Sequence, residues 1–393
     1  MSSVLYMAWR YLAFHRIKTA ILVLSITLIV FLPTGLKVLV DQSERELATR
    51  AESTPLLVGA KGSPLELVLN SLYFESDPPA LMDFAEVGRI EASNLAAAIP
   101  LHTRFRAQKH PIVGTTLDYF EFRGMRIAEG RKMAVLGECV LGADVADATG
   151  IVPGEFIVSS PENVFDLAGV YPLRMKVVGV LERNHTPDDR VVFVDVKTAW
   201  VIEGLGHGHQ EMSRPEASSG VLRREGNKVI ANASVVQYNE ITTENIDSFH
   251  FHGDTGGFPV TAILVVPSGD KSSALLQGRY LSQDELVQVV TPATIMRELL
   301  DTILTVQSYV VTAVVLVGAS TMATAALVFL LSLRLRRREI ETMSKIGGAR
   351  SRVTAILAAE IVVVIATGVI LAAGLTALTA VFGSEIIRTV ILS

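Results

Sequence analysis

The sequence is poor in charge for its length and holds a single cysteine. Only 19% of its 393 residues are Asp, Glu, Lys or Arg, whereas about a quarter is usual for a soluble domain. The net charge is −5, so the chain lacks the excess of basic residues that would indicate nucleic-acid binding. Cys139 has no second cysteine in the sequence, which excludes an intrachain disulfide and leaves the redox compartment open.

The sequence also lacks the motifs of common catalytic sites. No stretch fits the phosphate-binding pattern G-x-x-x-x-G-K-[ST], since Gly59-Ala-Lys-Gly62 has suitable residues at the wrong spacing. No serine, histidine and aspartate arrangement typical of hydrolases can be recognised. We therefore predict a protein that is not an enzyme and binds no cofactor through such motifs.

Apolar residues make up 50% of the chain and are concentrated at both ends. The stretches 19–40, 306–333 and 353–382 are almost free of charge, and Glu360 is the only charge in the last of them. At about 1.5 Å per residue, each is long enough as a helix to cross a hydrocarbon core of about 30 Å. We predict three transmembrane helices, the first of them a retained signal anchor.

Positive charge sets the expected orientation. Two clusters of basic residues stand before the first span and between the second and third: Arg10, Arg16, Lys18, Arg334, Arg336, Arg337, Arg338, Lys345, Arg350 and Arg352. Loops rich in Lys and Arg stay in the cytoplasm, so residues 1–18 and 334–352 are predicted to be cytoplasmic. Residues 1–18 carry apolar side chains at helical spacing, which favours an amphipathic helix on the membrane surface over a frayed tail.

Residues 41–305 then lie outside the cytoplasm, which in a bacterium with two membranes means the periplasm, as a large domain with helical stalks at its two ends. Val- and Ile-rich stretches separated by Gly, Pro and Asp predict a sheet. The predicted strands are 56–59, 174–181, 191–194, 262–266 and 286–290; the predicted helices are near 64–73, 79–98 and 140–149. We expect an exposed loop at 204–227. The fold class is an α+β membrane protein of the bacterial inner membrane.

Four motifs carry a family resemblance: Glu129-Gly-Arg, Gly137-Glu-Cys-Val-Leu-Gly142, Gly150-Ile-Val-Pro-Gly154 and Val177-Val-Gly-Val-Leu181. Together they resemble the periplasmic core domain of FtsX-like, MacB-like ABC permeases, a class that includes macrolide-exporter and lipoprotein-release permeases. Residues 337–353 are similar to the cytoplasmic coupling segment of that family. Glu360 stands where the family often has a carboxylate early in the third helix.

The resemblance implies a permease subunit that performs no bond chemistry. A separate cytoplasmic ATPase would bind ATP and Mg²⁺, a second copy would complete a homodimer, and a periplasmic adaptor or binding protein would take part in export or extraction of a substrate. The residues expected to contact the ATPase are Arg337, Arg338, Glu339, Ile340, Met343, Ile346, Gly347, Gly348, Ala349 and Arg350. The alternative interpretation of this basic segment is positive-inside bias with contact to anionic lipid.

Two features leave alternatives open. Family members have four membrane helices, but residues 383–393 are too few to cross the bilayer. Either the fourth helix is absent from this chain, or the third span is shorter and 383–393 form a tail on the membrane surface. The small residues of 318–326 fit a dimer interface and intrachain helix packing equally well.

The histidines are not predicted by the family pattern. The predicted outer domain contains His185 and two His-x-His pairs, His207 with His209 and His250 with His252, and Asp254 follows the second pair. On a strand, this spacing places both imidazoles on one face, and imidazole is a common ligand of zinc, copper and nickel. The alternative is a flexible loop and ordinary surface hydrogen bonds.

Three function classes follow from the sequence. The first is an FtsX-like ABC permease. The second is a metal-linked, zinc-type ABC permease that uses the periplasmic histidines. The third and weakest is a membrane-anchored signalling protein, since few helices and one large outer domain also describe sensors.

Overall fold

A computed structural model describes most of the chain. The described residues are 2–160, 172–208, 221–225, 228–231, 238–335, 341–342 and 350–391. They divide into two compact units, each described below by itself. The α+β unit is Arg50–Met296, and the helical unit consists of the residues on either side of it.

Ten α-helices have both ends within the described residues. They are α1 (Ser2–Phe14), α2 (Arg16–Glu52), α3 (Pro64–Val68), α4 (Ala85–Glu91), α5 (Leu117–Phe122), α6 (Ala143–Thr149), α7 (Val196–Ile202), α8 (Asp270–Arg279), α9 (Pro292–Leu335) and α10 (Arg350–Ile391). A π-helix, Leu69–Tyr73, follows α3 directly. Within the described part of the chain, three stretches are long and apolar enough to cross a membrane: Arg16–Glu52, Pro292–Thr324 and Thr354–Gly383.

The strands all lie in the α+β unit. They are β1 (Leu56–Ala60), β2 (Met82–Asp83), β3 (Ala96–Leu101), β4 (Arg106–Ala107), β5 (His110–Thr115), β6 (Ile127–Gly130), β7 (Glu138–Leu141), β8 (Phe156–Val158), β9 (Arg174–Leu181), β10 (Val192–Asp195), β11 (Gly206–Gly208), β12 (Val221–Glu225), β13 (Lys228–Ala231), β14 (Phe249–Phe251), β15 (Pro259–Val260), β16 (Ala262–Pro267) and β17 (Val287–Val290). Mixed helix and sheet with three apolar helices confirms the predicted α+β membrane fold class.

Two sheets form the framework of the α+β unit. The first is antiparallel with strand order β17-β1-β16-β3. The second has the order β4-β5-β10-β7-β9-β6, with β8 also paired to β9, and it mixes parallel and antiparallel pairs. The pairs β11–β14, β12–β13 and β2–β15 are separate two-stranded ribbons.

The first sheet is also where both long helices attach. Helix α2 ends at Glu52, shortly before β1 begins at Leu56, and α9 begins at Pro292, shortly after β17 ends. Strands β1 and β17 are direct neighbours, with Leu57 opposite Val290. The two chain connections of the unit therefore lie side by side on one edge of one sheet.

Each sheet covers its own apolar core. Trp200 of α7 lies in the core of the first sheet, where Phe84 and Phe258 meet its ring edge to face at 5.1 Å between centroids. The indole Nε1–H donates to the Pro259 carbonyl over 2.8 Å, so its polar atom is satisfied on burial. Phe251 of β14 packs against the cores of both sheets.

Three secondary-structure predictions were wrong in part. The alanine-rich stretch 79–98 was predicted to be helical, but only Ala85–Glu91 forms a helix and 96–101 forms β3, paired along its whole length with β16. Residues 140–149 divide between the end of β7 and helix α6. The predicted loop 204–227 contains β11 and β12. For β3, β7 and β11, pairing with a distant strand outweighs local propensity, whereas β12 pairs with the adjacent β13; residues 209–220 and 226–227 of the predicted loop lie outside the described residues.

In the helical unit, small and hydroxyl residues bring helices together. The Thr27 hydroxyl of α2 donates to the Gly368 carbonyl of α10 over 3.2 Å, and α1 also packs against α10. A Cβ added to Gly318 of α9 would lie 2.9 Å from the Ile29 side chain, so this glycine serves intrachain packing. The neighbouring Ser320 and Met322 are exposed in the single chain, which leaves a dimer contact open for the rest of 318–326.

Candidate functional site

The last turn of α2 carries an arginine that is buried in the α+β unit. The Arg50 side chain is 7% exposed and donates from Nη1 and Nη2 to the two carboxylate oxygens of Asp188, over 2.8 and 2.9 Å. Its Nε–H donates to the Leu72 carbonyl, and Nη2 also donates to the Tyr119 hydroxyl over 3.0 Å. A bidentate pair of this kind fixes both the distance and the plane of the guanidinium. We refer to Arg50, Asp188 and Tyr119 as the arginine anchor.

The charge of Asp188 is maintained although the carboxylate is 1% exposed. Burial alone would raise the pKa of Asp188, but the Arg50 charge and the hydrogen bonds from Arg50 and Tyr119 outweigh it and hold the pKa below its usual value. Burial, followed by the neighbouring Asp188 charge, raises the pKa of Tyr119 to about 12, so its hydroxyl stays neutral and donates to Asp188 over 2.9 Å.

Local sequence explains how the anchor is held. The Thr54 hydroxyl donates to the Arg50 carbonyl over 3.0 Å and so satisfies a carbonyl at the end of α2. Asp188 lies in a 3₁₀ turn that begins at Pro187, with the Thr186 side chain as its cap. Gly142 allows this turn to approach β7, because a Cβ there would lie 2.4 Å from the Asp188 carbonyl oxygen.

Sequence reasoning missed the arginine anchor, since residues 41–52 were predicted only as a charged helical stalk that continues from the membrane helix. A signal was nevertheless present: Leu47, Arg50, Ala51 and Thr54 share one helical face by their spacing. Ala51 is fully buried in the structure. An arginine on an apolar helical face predicts a buried carboxylate partner.

A second polar cluster lies on the ribbon of β11 and β14. His207 lies directly opposite His250 in the antiparallel register, and His252, directly after β14, has its ring next to that of His250. The three ring centroids are 4.8–5.0 Å apart, and one ligand nitrogen from each lies within 4.8 Å of the others. Among the described residues, His207, His250 and His252 form the one group of His, Cys, Asp or Glu side chains that is close enough together to hold a metal ion.

Alternation along the ribbon explains why three histidines share one face. Phe249 lies opposite Gly208, and Phe251 lies opposite Gly206. A Cβ on either glycine would come within 2.5–2.6 Å of the facing aromatic ring, so the rings occupy the space above the glycines. Both phenylalanines pack against the core of the unit, which directs the residues between them to the other face.

The other predicted metal ligands do not join this group. Asp254 caps a short 3₁₀ turn, where its Oδ1 accepts from the Gly256 N–H over 3.0 Å. His185 lies in a separate turn with φ +58°, and its backbone N–H donates to Asp189. His209 lies outside the described residues.

The predicted coupling residues fall largely outside the described part of the chain, which excludes 336–340 and 343–349. Arg350 is the first residue of α10. Glu360, the charged residue of the third predicted span, is 1% exposed within α10. A buried carboxylate in an apolar helix is characteristic of a position with a specific role.

Comparison with known proteins identifies one family. The family of the MacB-like periplasmic core domain matches residues 19–233, which is more than half of the chain. No curated protein matches the sequence.

Two solved structures are similar to the chain. The periplasmic region of MacB from Actinobacillus actinomycetemcomitans has 12% identity and a TM-score of 0.34, and the match covers 66% of this chain and 97% of that one. The extracellular domain of the noncanonic ABC-type transporter YknZ from Gram-positive bacteria has 11% identity and a TM-score of 0.32, with 60% and 98% covered.

Proposed function

Because this chain belongs to the family of the MacB-like periplasmic core domain, which implies an ABC transporter permease, we propose that it couples ATP hydrolysis by a separate cytoplasmic ATPase to movement of the α+β unit. The movement would serve export or extraction of a substrate. The chain itself would supply binding surfaces and stiffness, and the chemistry of ATP and Mg²⁺ would belong to the partner subunit.

The attachment of α2 and α9 to neighbouring strands is the observation that carries this proposal. At about 1.5 Å per residue, a helix of 37 residues is about 55 Å long and one of 44 residues about 66 Å long. Both exceed a hydrocarbon core of about 30 Å, so each can continue from the bilayer into the α+β unit without a break. A displacement of either helix is then delivered to the β1–β17 edge.

The arginine anchor supports transmission through α2. Four hydrogen bonds donated by Arg50 join the last turn of the helix to the π-helix that precedes Phe74, to α5 and to the 3₁₀ turn at 187–190. A helix end fixed at several elements moves them together, whereas a helix end held by apolar contact alone can slide.

The proposed location is the bacterial inner membrane, with the α+β unit on the periplasmic side. The positive charges of 1–18 and 334–352 support this orientation. The proposed partners are the ATPase, a second copy of the chain in a homodimer, and a periplasmic adaptor or binding protein. The comparisons favour neither the metal-linked permease nor the signalling protein as the overall function.

Affinity purification of the tagged full-length chain from its native membranes tests the proposal. We expect an ABC ATPase to co-purify in about equal amount, because the proposed contact residues within 337–350 would bind it. An Ile340→Asp and Ile346→Asp double variant should lose the ATPase and keep its membrane insertion, while Arg334→Gln is the matched control that should retain it. Recovery of the wild-type chain without any ATPase would contradict the proposal.

A further inference from the structure

We propose that His207, His250 and His252 bind one divalent transition-metal ion, for which zinc is the expected probe. The proposal does not depend on the ATPase or on the transport function, since it rests on the geometry of the β11–β14 ribbon. The chemical class of the ligand follows from the donor set, which consists of three imidazoles.

The spacing of the three side chains suits a common ion. Zinc–nitrogen bonds of about 2.0–2.1 Å in a tetrahedral site place the ligand nitrogens about 3.3 Å apart. The nitrogens of the cluster lie within 4.8 Å of one another, so rotation of the side chains about their Cα–Cβ and Cβ–Cγ bonds closes the remaining gap of about 1.5 Å. His252 is exposed and His207 only partly buried, so an ion has access from solvent.

The hydrogen bonding of His250 prepares it as a ligand. Its Nδ1 lies 3.0 Å from the Ser248 carbonyl oxygen, which can only accept, so Nδ1 carries the proton. In the neutral ring the lone pair is then on Nε2. Metal-binding histidines usually have their second nitrogen fixed by a carbonyl or carboxylate in this way.

The backbone supports the cluster from the opposite face. Phe249 and Phe251 lie over Gly208 and Gly206 and pack into the core, which holds the two strands in the register that brings His207 opposite His250. The positions of two of the three ligands are therefore set by a ribbon that is itself anchored by buried rings. The third ligand follows one residue after the end of β14.

The donor set discriminates between ions. Imidazole nitrogen suits zinc, copper and nickel, whereas magnesium and calcium require oxygen ligands. Three protein ligands leave a fourth position on a tetrahedral ion for water or for an external ligand. This pattern is typical of a site that exchanges a ligand, and Asp254 does not close it because it caps its own 3₁₀ turn.

Zinc binding to the metal-free full-length chain in detergent micelles tests the proposal, by titration calorimetry and by the metal content after desalting. We expect one zinc ion per chain, and the His250→Gln and His252→Gln double variant should bind it more than about 100-fold more weakly. His185→Asn is the matched control, since it removes an exposed histidine outside the cluster and asparagine tolerates the positive φ. It should bind zinc as the wild type does.

Two results would overturn the proposal. One is a wild-type chain that binds no zinc, copper or nickel. The other is zinc binding that is unchanged in the double variant or is displaced by millimolar magnesium. X-ray absorption of the zinc-loaded chain gives a second readout, in which the expected signal is imidazole nitrogen at about 2.0–2.1 Å and sulfur scattering would contradict the assignment.

Discussion

The α+β unit contains two polar clusters of opposite character. The arginine anchor is buried and ionised, and Arg50 donates four hydrogen bonds within it, whereas the histidine cluster lies nearer the surface and brings one ligand nitrogen from each of three rings together. A buried ion pair whose hydrogen-bonding groups are occupied has no capacity for a ligand and serves to hold parts together. A surface group of imidazoles contributes little to folding and has capacity for an ion. The difference is what the two proposals rest on: a mechanical role for the arginine anchor and a metal-binding role for the histidine cluster.

Arg50→Met is expected to produce the largest effect. It leaves the Asp188 carboxylate buried without its charged partner, which costs about 3–5 kcal/mol in the free energy of unfolding. Urea unfolding of the full-length chain in micelles measures this through the fluorescence of buried Trp200, with Trp9→Phe as the background. The matched control is Arg89→Met, which breaks the Arg89–Glu285 pair where Arg89 is 44% exposed. The free energy of unfolding should fall several-fold less in Arg89→Met than in Arg50→Met. Equal losses in the two variants would remove the distinction between a buried and an exposed ion pair.

The second-largest effect on the free energy of unfolding is expected from acid, which should weaken the arginine anchor. The folded-state pKa of Asp188 is depressed below its unfolded value of about 3.9, so its stabilisation is complete above that pH and disappears as the pH falls toward the folded-state pKa. The free energy of unfolding of the wild type should therefore fall more steeply below about pH 4 than that of Asp188→Asn. Parallel curves for the two proteins would show that Asp188 is not held ionised by its partners.

Tyr119→Phe is expected to have an intermediate effect. It removes one hydroxyl that donates to Asp188 and accepts from Arg50, but it keeps the ring and the ion pair. A hydrogen bond to a charged group contributes about 1.5–3 kcal/mol, so the loss should fall in or just below that range. Urea unfolding gives the value, and a loss as large as that of Arg50→Met would mean that the hydroxyl, not the ion pair, holds the anchor.

The smallest effect on folding is expected at the histidine cluster. Without metal, the His250→Gln and His252→Gln double variant should unfold within about 0.5 kcal/mol of the wild type, as is usual for surface substitutions. Zinc at about 100 times its Kd should stabilise the wild type by about 2.7 kcal/mol and leave the double variant unchanged. A large loss of stability in the metal-free variant would assign the histidines a structural role instead.

The sequence predicted part of this arrangement. The His-x-His spacing of 250 and 252 predicts that both side chains lie on one side of the chain, and the structure has their ring centroids 4.8 Å apart, with His252 directly after β14. The third member could not be assigned, because His207 is joined to His250 only by strand pairing across more than forty residues of sequence. The strand that pairs with β14 depends on where Phe249 and Phe251 pack in the apolar core. That packing is a property of the whole unit.

The same reasoning applies to the fold. Apolar length predicts the long helices directly, since period and composition suffice for them. The alanines of 96–98 were misassigned because they extend a helical pattern, and only the neighbouring β16 makes them a strand. Arg50 and Asp188 could not be paired from sequence, since nothing local to either residue identifies the other.

The central claim is that 334–352 meets an ATPase in the cytoplasm while the α+β unit moves on the other side of the membrane. Labelling of intact cells with a membrane-impermeant maleimide tests it, with Thr243→Cys in the α+β unit and Ser351→Cys near the start of α10. Cys139 is buried, and burial raises the pKa of its thiol, so the wild-type chain should give no background. The account predicts that Thr243→Cys is labelled in cells whose outer membrane is permeabilised and Ser351→Cys only after the inner membrane is opened; labelling of both from the same side would contradict it.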